Sequence, residues 1–495
     1  MKKVTIAFLA ILTLSSPWNR VLSQRTADRP DYLRIVRSYA DCIIEHGRDR
    51  YGSEHSPLFA AAMDRQDFTP GSFPGIAGIR EHDRTTTGAN PMHHENFYQL
   101  LYALSTATGD GKYAREADDA LTWFFEHCQS PQTGLMAWGE HIGWDFFEES
   151  MTGRDCCHEF FRPWVLWETS WDLAPGPVEK FARGLWDHQI YDQSTGEFSR
   201  HARWSGHGPG RHSEYPRHGG FYIATWAEAY RRTGKPVFLK AIRILLRYFH
   251  ERRSNKTGAI PAESHSRSGG VMLWPQSNLS LAVDLHDSAK KVPEELAKSM
   301  RRSARKTDKV YLKLPHTFGD KGKGFVTQSH IHRLEPTDVR DSGKRLHTRL
   351  WATGYGMSTD AQVADLCYLR YRQLSQRDVR AAYGRLIVAS AVRYLNSDPD
   401  LSETIYPGPM GHVIFHMLAA YEITGRREFL NRADHFARLA VDSFLTDDSP
   451  LPKASSRHDH YEAITRADTM MMALLKLWQV KSRPGLDLGL KYSDR

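Results

Sequence analysis

Titratable side chains and tryptophans are concentrated in one short, glycine-containing segment of this chain. Its members are Trp138, Glu140, His141, Trp144 and Asp145. Titratable groups are costly to bury without partners, and an indole ring can stack on the face of a sugar. We therefore predict catalytic acid/base roles for the two carboxylates and the imidazole, and substrate stacking for Trp138 and Trp144. A buried loop with structural tryptophans is the alternative.

A second cluster lies at the start of a helix-like segment. It consists of His93, His94, Glu95 and Asn96, which follow Asn90. Free backbone amides and the helix dipole make a helix N-terminus favourable for anions. We predict catalytic roles for His94 and Glu95 and substrate binding by His93 and Asn96. In the alternative, Asn90 only caps the turn and Glu95 is a first-turn charge.

A basic and aromatic wall is predicted from two neighbouring segments. Its members are Arg200, His201, Arg217, His218 and Tyr222. Two consecutive glycines after His218 allow a close approach of the backbone. We predict that His218 is catalytic and that the other four bind substrate. A merely solvated basic loop is the alternative.

Two further groups complete the predicted site. His158, Glu159 and Arg162 lie close together in the sequence. Because arginine presents a fork to a carboxylate, these three predict contact with a uronic acid, although an internal Arg–Glu ion pair explains the pattern equally well. Weaker candidates for lining the cleft, each of which alone favours a structural role, are Trp274, Arg349, Tyr355, Glu263, Asn278, Trp351 and Asp360.

A repeated turn indicates how these segments are positioned. Three helix-like stretches end in Thr-Gly, and an aromatic residue follows four positions after each glycine. Glycine after a helix suits the left-handed C-terminal position, and repetition of a helical hairpin predicts a closed ring. The turns are Thr108-Gly109, Thr233-Gly234 and Thr424-Gly425, and the aromatic residues are Tyr113, Phe238 and Phe429. We predict an all-α ring of six or seven hairpins, with His93-His94 and Arg217-His218 at the same end.

Helical periodicity dominates most of the remaining chain. Apolar residues recur three and four positions apart in Tyr32–His46, Glu95–Thr108, Lys112–His127, Val178–His188, Gly220–Thr233, Val237–Arg252, Ser277–Ser288, Pro293–Lys306, Asp360–Leu374, Asp378–Leu395, Gly411–Thr424, Glu428–Phe444 and Tyr461–Val480. Short hairpin strands are predicted only near Gly196 and near Lys256.

This pattern resembles the six-hairpin glycosidase group, the (α/α) toroid enzymes that act on carbohydrates. The resemblance rests on the Thr-Gly-x-x-x-aromatic hairpin turns and on the loops rich in aromatic residues and histidine. It implies an (α/α)6-type toroid with short strands in its loops. The group includes unsaturated glucuronyl hydrolases, other glucuronidases, several polysaccharide lyases and acylglucosamine epimerases.

The N-terminal segment indicates where the protein is located, and the net charge limits which partners it can bind. Residues 1–24 have a basic start and a short apolar run, the pattern of a secretory signal peptide. Removing it takes Lys2, Lys3 and Arg20 from the formal charge of +8, which leaves 8 − 3 = +5. We predict a periplasmic or secreted protein with one toroid domain over residues 25–495. The charge is too low and scattered for a nucleic-acid partner, and no other run is long enough to span a membrane.

The five cysteines leave one metal hypothesis open. The chain has no Cys-x-x-Cys pair of the kind that binds zinc. Glu126 and Cys128, with the vicinal Cys156 and Cys157, are similar to the ligand set of zinc-and-thiolate arabinofuranosidases of toroid fold. The resemblance implies zinc at these residues. The alternative is that Cys128 is a buried cysteine with a structural role only. No cofactor is otherwise predicted, and a divalent metal is not excluded.

Three functions compete on these residues. The first is a glycoside hydrolase of glucuronidase or unsaturated glucuronyl hydrolase type, with acid/base groups drawn from Glu95, Glu140, Asp145 and Glu159. The second is a polysaccharide lyase, whose His or Tyr base would be His94, His141, His218 or Tyr222, with Arg217 and Asn96 neutralising the enolate. The third is a glycan-binding toroid without activity. The sequence favours the hydrolase by a small margin, with an acidic glycan as substrate.

Overall fold

The structure is a computed structural model that describes residues 30–153, 155, 160–207, 214–263, 270–319, 321–341 and 343–494. The predicted signal peptide and the residues Cys156, Cys157, His158 and Glu159 lie outside the described residues. Within those ranges, no helix is long and apolar enough to cross a membrane.

Helices form about half of the described chain, and the strands between them are short, as the repeat predicted. They are α1 (Tyr32–His46), α2 (Glu95–Thr108), α3 (Lys112–His127), α4 (Trp167–Leu173), α5 (Pro175–Gly184), α6 (Pro216–Thr233), α7 (Pro236–Glu251), α8 (Pro275–Ser288), α9 (Glu294–Tyr311), α10 (Asp360–Gln373), α11 (Arg377–Leu395), α12 (Pro407–Thr424), α13 (Arg427–Phe444) and α14 (Ala467–Ser482). The short α4 was not predicted.

The helices of the described chain form six hairpins and one further pair, which together close a ring. Helices α2 to α13 pair in order as hairpins, and the last helix, α14, packs against the first, α1. Around the inside, α6 packs on α8, α8 on α10, α10 on α12, α12 on α14 and α14 on α2, while α4 contacts α6. The remaining helices form an outer layer. This confirms the predicted helical toroid.

The three Thr-Gly turns have the same local structure. Gly109, Gly234 and Gly425 have φ values of 77°, 67° and 70°, in the left-handed region that glycine adopts without strain. Each preceding threonine hydroxyl donates to the carbonyl four residues earlier and accepts from the amide two residues later. The aromatic residues after the turns are fully buried. The turn repeat is therefore a structural device, as predicted.

Short strands join the loops at the mouth of the ring. They are β1 (Ala62–Asp64), β2 (Gly88–Ala89), β3 (Ile142–Asp145), β4 (Ser150–Gly153), β5 (Ile190–Asp192), β6 (Glu197–Phe198), β7 (Met272–Leu273), β8 (Ser329–His330) and β9 (His460–Glu462). All pairings are antiparallel: β1 with β9, β2 with β3 and β3 with β4, β5 with β6, and β7 with β8.

Two sequence expectations need correction, whereas the predicted strand near Gly196 is confirmed by β6. The segment near Lys256 is a turn, because Gly258 has φ of 83° and its amide donates to Ser254. Tyr461 does not begin the last helix. It lies in β9, because that segment pairs with β1, and α14 begins only after Arg466.

Candidate active site

A cluster of imidazoles and carboxylates lies at the mouth of the ring. The 3-10 turn Glu81–Asp83 supplies Asp83, whose Oδ1 accepts from Nδ1 of His141 at 2.7 Å. Nε2 of His141 lies 3.3 Å from Nε2 of His201 and 3.8 Å from Oε2 of Glu140. Three loops that are distant in sequence therefore meet at His141.

The cluster can hold a divalent metal ion. Because a carboxylate oxygen only accepts, the proton of His141 lies on Nδ1, so its Nε2 presents a lone pair toward His201. Burial lowers the pKa of both imidazoles, that of His201 to about 4, so both are neutral near pH 7. Two neutral imidazoles with an adjacent carboxylate are a donor set for a divalent transition metal, and Asp83 orients His141 from behind.

His82 adds a fifth titratable group to this cluster. Its Nε2 lies 3.4 Å from Oδ1 of Asp83, and one ligand atom from each of His82, Asp83 and His141 falls within 4.8 Å of the others. Asp83 also accepts from His141 and from Nε of Arg80. Among the described residues, His82, Asp83 and His141 are therefore spaced so that they could share one metal ion, and His201 and Glu140 lie beside His141.

Two arginines border this cluster. Arg200 lies next to His201 in sequence, with its guanidinium carbon 5.2 Å from the centroid of Tyr215. Burial and the nearby charge of Arg200 lower the pKa of Arg217 to about 10. The Nε atoms of both arginines are buried and have no hydrogen-bond partner among the described residues. Buried donors without partners point to a ligand that is bound here.

Both arginines line a cleft of about 590 Å³. On its wall lie Trp274, which stacks on Tyr215 at 4.8 Å, and Arg349, both predicted for this place. Lys344, Arg345 and His347 extend the basic lining, and the side chain of Asp494 lies at its inner end. The cleft is therefore large enough for sugar units and is strongly cationic, which suits an acidic chain.

Below the cleft lies a buried ionic network around Arg162. Its guanidinium is fully buried and pairs with Oδ1 of Asp494 at 2.9 Å and with Oδ2 of Asp468 at 3.7 Å. It also donates to the backbone carbonyl of His93 at 2.7 Å. Among the described residues, Arg162 therefore forms its ion pairs with aspartates and holds the start of α2 in place, while Glu159 lies outside the described residues.

The predicted residues at the start of α2 are all buried. His94 bonds to the hydroxyl of Tyr461 at 2.8 Å, and burial lowers its pKa to about 3. Asn96 donates to Thr469 and accepts from Ser493. These contacts assign His94 and Asn96 to the packing of α2 against the last helix and the C-terminal tail. His93 alone of this group lies within electrostatic reach of Glu140, which Arg217 also reaches.

The carboxylates predicted for acid/base chemistry are not brought together. Glu95 accepts from the amide of Val165, and burial raises its pKa to about 8. Asp145 accepts from Thr87 and from the amides of Phe147 and Glu148, so it closes the turn between β3 and β4. Glu140 is the carboxylate beside the imidazole cluster. Of the four carboxylates in the predicted acid/base pool, Glu95 and Asp145 are engaged by backbone amides, and Glu159 lies outside the described residues.

Three predicted aromatic residues need correction, and so does the role of His218. Trp138 is fully buried among Phe124, Phe125 and Trp164, so its ring cannot contact a sugar. Tyr222 is fully buried against Phe160 and Phe198. Trp144 packs edge to face on Trp123, and the buried His218 packs on Tyr215 and Phe221. These side chains build the ring and do not line the cleft.

The zinc-and-thiolate hypothesis gains no support from the described residues. Cys128 is fully buried at the end of α3, and burial raises its pKa well above the ordinary value, whereas Glu126 is exposed. A buried thiol with a raised pKa is a poor ligand, because the thiolate binds the metal. The vicinal cysteines lie outside the described residues.

Sequence reasoning missed four residues of the site: Arg80, His82, Asp83 and Arg466. The first three lie in a loop that looks like a charged linker, and only the folded ring brings them to His141. Arg466 lies directly before α14, where the sequence predicted the middle of a helix. A run of Arg, His and Asp in the loop before α2 was the available signal.

Part of this chain is similar to a known family. Residues 56–234 match the model of a family described as periplasmic pectate lyase. The match covers less than half of the chain, and it contains every member of the metal cluster together with Arg200 and Arg217.

Solved structures of toroid enzymes are similar to the chain over most of its length. A D-mannose isomerase is 8% identical with a TM-score of 0.50, and the alignment covers 92% of this chain and 100% of that one. A cellobiose 2-epimerase from Bacillus thermoamylovorans B4167 is 10% identical, with a TM-score of 0.48 and coverage of 90% and 99%. An unsaturated glucuronyl hydrolase specific for heparin is 13% identical, with a TM-score of 0.45 and coverage of 91% and 98%. The chain has the helical-toroid fold, and at these identities the likeness extends to the fold alone.

Proposed function

We propose that the protein is an exported polysaccharide lyase that cleaves uronic acid-containing chains by β-elimination. The observation that carries this proposal is the half-buried Arg200–Arg217 pair, which has unpartnered Nε atoms beside the His141–His201 cluster in a cationic cleft. The match to the periplasmic pectate lyase family supports it, because all of these residues fall within the matched segment. That family also suggests pectate as the substrate and the periplasm as the location.

β-Elimination makes two demands on a site. A base must remove the proton on the carbon next to the uronate carboxylate, and positive charge must stabilise the enolate that forms. The electron pair of the C–H bond then becomes a C=C bond, and the glycosidic oxygen on the neighbouring carbon leaves with its bond electrons and takes up a proton. No water is consumed, so the product contains an unsaturated uronate.

The Arg200–Arg217 pair meets both demands. Burial, together with the like charge of Arg200, lowers the pKa of Arg217 to about 10. Arg217 in its neutral form would therefore accept the proton from carbon, and the guanidinium of Arg200 would stabilise the carboxylate side of the enolate.

The imidazole cluster would support this step from beside Arg200, which is the neighbour of His201 in the sequence. His141, His201 and Glu140 would hold a divalent cation, which would supply positive charge to the substrate carboxylate and make the neighbouring proton more acidic. Asp83 keeps the proton of His141 on Nδ1, so that Nε2 would be available to the cation. Arg80 lies 3.7 Å from Oε1 of Glu140 and fixes that carboxylate.

A hydrolase was the first expectation from the sequence, and the site supports it less well. Hydrolysis usually uses two carboxyl groups on either side of the scissile bond. Among the described residues of the cluster, Glu140 is joined by histidines and arginines, while Glu95 and Asp145 are engaged elsewhere. The groups around Glu140 therefore suit elimination better than hydrolysis.

The proposal is tested with polygalacturonate and purified mature protein. After treatment with a chelator and readdition of single divalent ions, we expect ultraviolet absorbance of an unsaturated uronate to appear only with a suitable cation. The variant His201→Ala is expected to lose this rescue, while the surface variant Arg385→Gln keeps it. New reducing ends without ultraviolet absorbance would instead establish the hydrolase.

A further inference from the structure

Arg466 has a backbone conformation that arginine rarely adopts. Its φ and ψ are 66° and 44°, in the left-handed region, at the residue that connects the 3-10 turn Ala463–Thr465 to α14. A non-glycine residue in this region is strained, and such residues cluster at functional sites. Gly408 makes room for it, because a Cβ at position 408 would lie 2.8 Å from the Cβ of Arg466.

Two neighbours contact the guanidinium of Arg466. Its central carbon lies 5.1 Å from the ring centroid of Phe161, and its Nε lies 3.6 Å from Oδ1 of Asp494. The ring of Phe161 is also parallel to that of Tyr355, with centroids 6.4 Å apart. Arg466 and Tyr355 therefore share Phe161 as a neighbour, and each lies within electrostatic reach of the other.

Both polar ends are left without hydrogen bonds. Nε of Arg466 and the hydroxyl of Tyr355 are buried atoms with no hydrogen-bond partner among the described residues. The Arg466 side chain retains 18% of its accessible surface, so part of it remains open to solvent, and its neighbour Asp494 lines the cleft. Asp494 leaves the hydrogen-bonding capacity of Arg466 available, because Asp494 already pairs with Arg162 at 2.9 Å and accepts from Thr469 at 2.6 Å.

This pair faces the same space as the candidate catalytic arginines. Arg466 lowers the pKa of Arg217 by its charge, and Glu140 acts on both Arg217 and Tyr355. Asp494, which backs Arg466, lines the cleft together with Arg200 and Arg217. Two cationic positions therefore approach the cleft from different elements, one from the start of α6 and one from the start of α14.

We propose that Arg466 and Tyr355 form a second carboxylate-binding subsite, which holds the uronate next to the one that is cleaved. This inference rests on the acidic substrate of the proposed function. A guanidinium fork with an adjacent hydroxyl matches the two oxygens of one carboxylate. Arg466 is then a specificity-determining residue: it favours chains with consecutive charged uronates over chains whose carboxylates are esterified.

A purely structural role for Arg466 makes a different prediction. If the residue only neutralised Asp494, its replacement would lower stability and would leave ligand affinity unchanged in the folded protein. If it binds substrate, affinity falls while the fold persists. The left-handed backbone gives a second discrimination, because glycine relieves the strain and glutamine does not.

The test is calorimetric titration of trigalacturonate into the full-length mature protein and the variants Arg466→Lys, Arg466→Gln, Arg466→Gly and Tyr355→Phe. Because a hydrogen-bonded charge pair contributes about ten- to a hundredfold in affinity, we expect that loss in the Gln and Gly variants, a smaller loss in the Lys variant and the smallest in the Tyr355 variant. Arg466→Gly is expected to melt at or above the Tm of Arg466→Gln. The exposed Arg385→Gln serves as the matched control.

Wild-type affinity in the Gln and Gly variants would overturn the subsite, and so would the absence of trigalacturonate binding by the wild-type protein. Equal destabilisation of all three Arg466 variants, with affinity per folded molecule unchanged, would establish the structural role. Trigalacturonate binding that depends on Arg466, without any elimination product from the wild type, would support the subsite and reject the proposed lyase activity.

Discussion

Two buried arginine sites at the centre of the ring differ in what surrounds them. Arg162 has carboxylates from Asp468 and Asp494 and a backbone carbonyl as partners. Arg217 instead lies within reach of the like charge of Arg200, which together with burial lowers its pKa to about 10. The Nε atoms of both Arg162 and Arg217 lack a hydrogen-bond partner among the described residues, so the difference lies in the neighbouring charges. An arginine between two carboxylates holds the fold together, whereas one placed against a like charge keeps its binding capacity for a ligand. The neighbouring charges therefore distinguish an arginine that stabilises the fold from one that is available to a substrate.

The largest expected effect is on activity at the uncompensated site. Arg217→Gln removes a member of the proposed base pair, so the rate of elimination should fall by about 10²- to 10⁴-fold. The Tm should stay at or above that of the wild type, because a like-charge contact is removed. Initial rates from ultraviolet absorbance and a thermal melt measure both. A large fall in Tm would place Arg217 in the supporting network instead.

The reverse outcome is expected at the compensated site. Arg162→Met leaves two buried aspartates without their cation, which should reduce the free energy of unfolding by about 3–5 kcal/mol. Urea denaturation followed by circular dichroism measures the change. The exposed Arg385→Gln is the control and should have wild-type stability. A stable Arg162→Met variant that has lost only activity would contradict the comparison.

The pH dependence of stability tests the buried side of this comparison, because Glu95 lies within reach of the charge of Arg162. Burial raises the pKa of Glu95 to about 8, so between about pH 4.5 and 8 the folded state keeps a proton that the unfolded state has lost. The folded state binds more protons, and this contribution to stability therefore falls as the pH rises through that window, by about 5 kcal/mol at most. Glu95→Gln should flatten this slope relative to the wild type. Parallel slopes of the two proteins in urea denaturation at several pH values would reject the assignment.

The smallest predicted effect concerns the metal cluster. Asp83→Asn keeps the shape of the side chain and weakens the orientation of His141, so metal affinity or metal-dependent activity should fall by about 10- to 100-fold. Titration of activity with divalent ions after chelation measures this change. Unchanged metal dependence would mean that the cation binds elsewhere or that none is required.

The sequence predicted the helical ring better than it predicted the residues of the candidate active site. The Thr-Gly turns and their aromatic residues are local patterns, and they correctly indicated a closed helical ring. The cluster around His141 combines residues near positions 83, 141 and 201, and no local spacing predicts such a meeting. Trp138 was misassigned because an indole in a core and an indole in a sugar site look alike in sequence. Arg466 was missed because its strained backbone is visible only in the folded chain.

The central claim is that the cleft carries out elimination and not hydrolysis. Digestion of polygalacturonate in water enriched in ¹⁸O, followed by mass spectrometry, tests it directly. We predict two sets of products, one of which carries an unsaturated uronate and is lighter by one water than the corresponding saturated oligosaccharide, without ¹⁸O taken up in cleavage. Saturated products of full mass that carry one ¹⁸O at each cleavage would contradict the claim and establish a hydrolase.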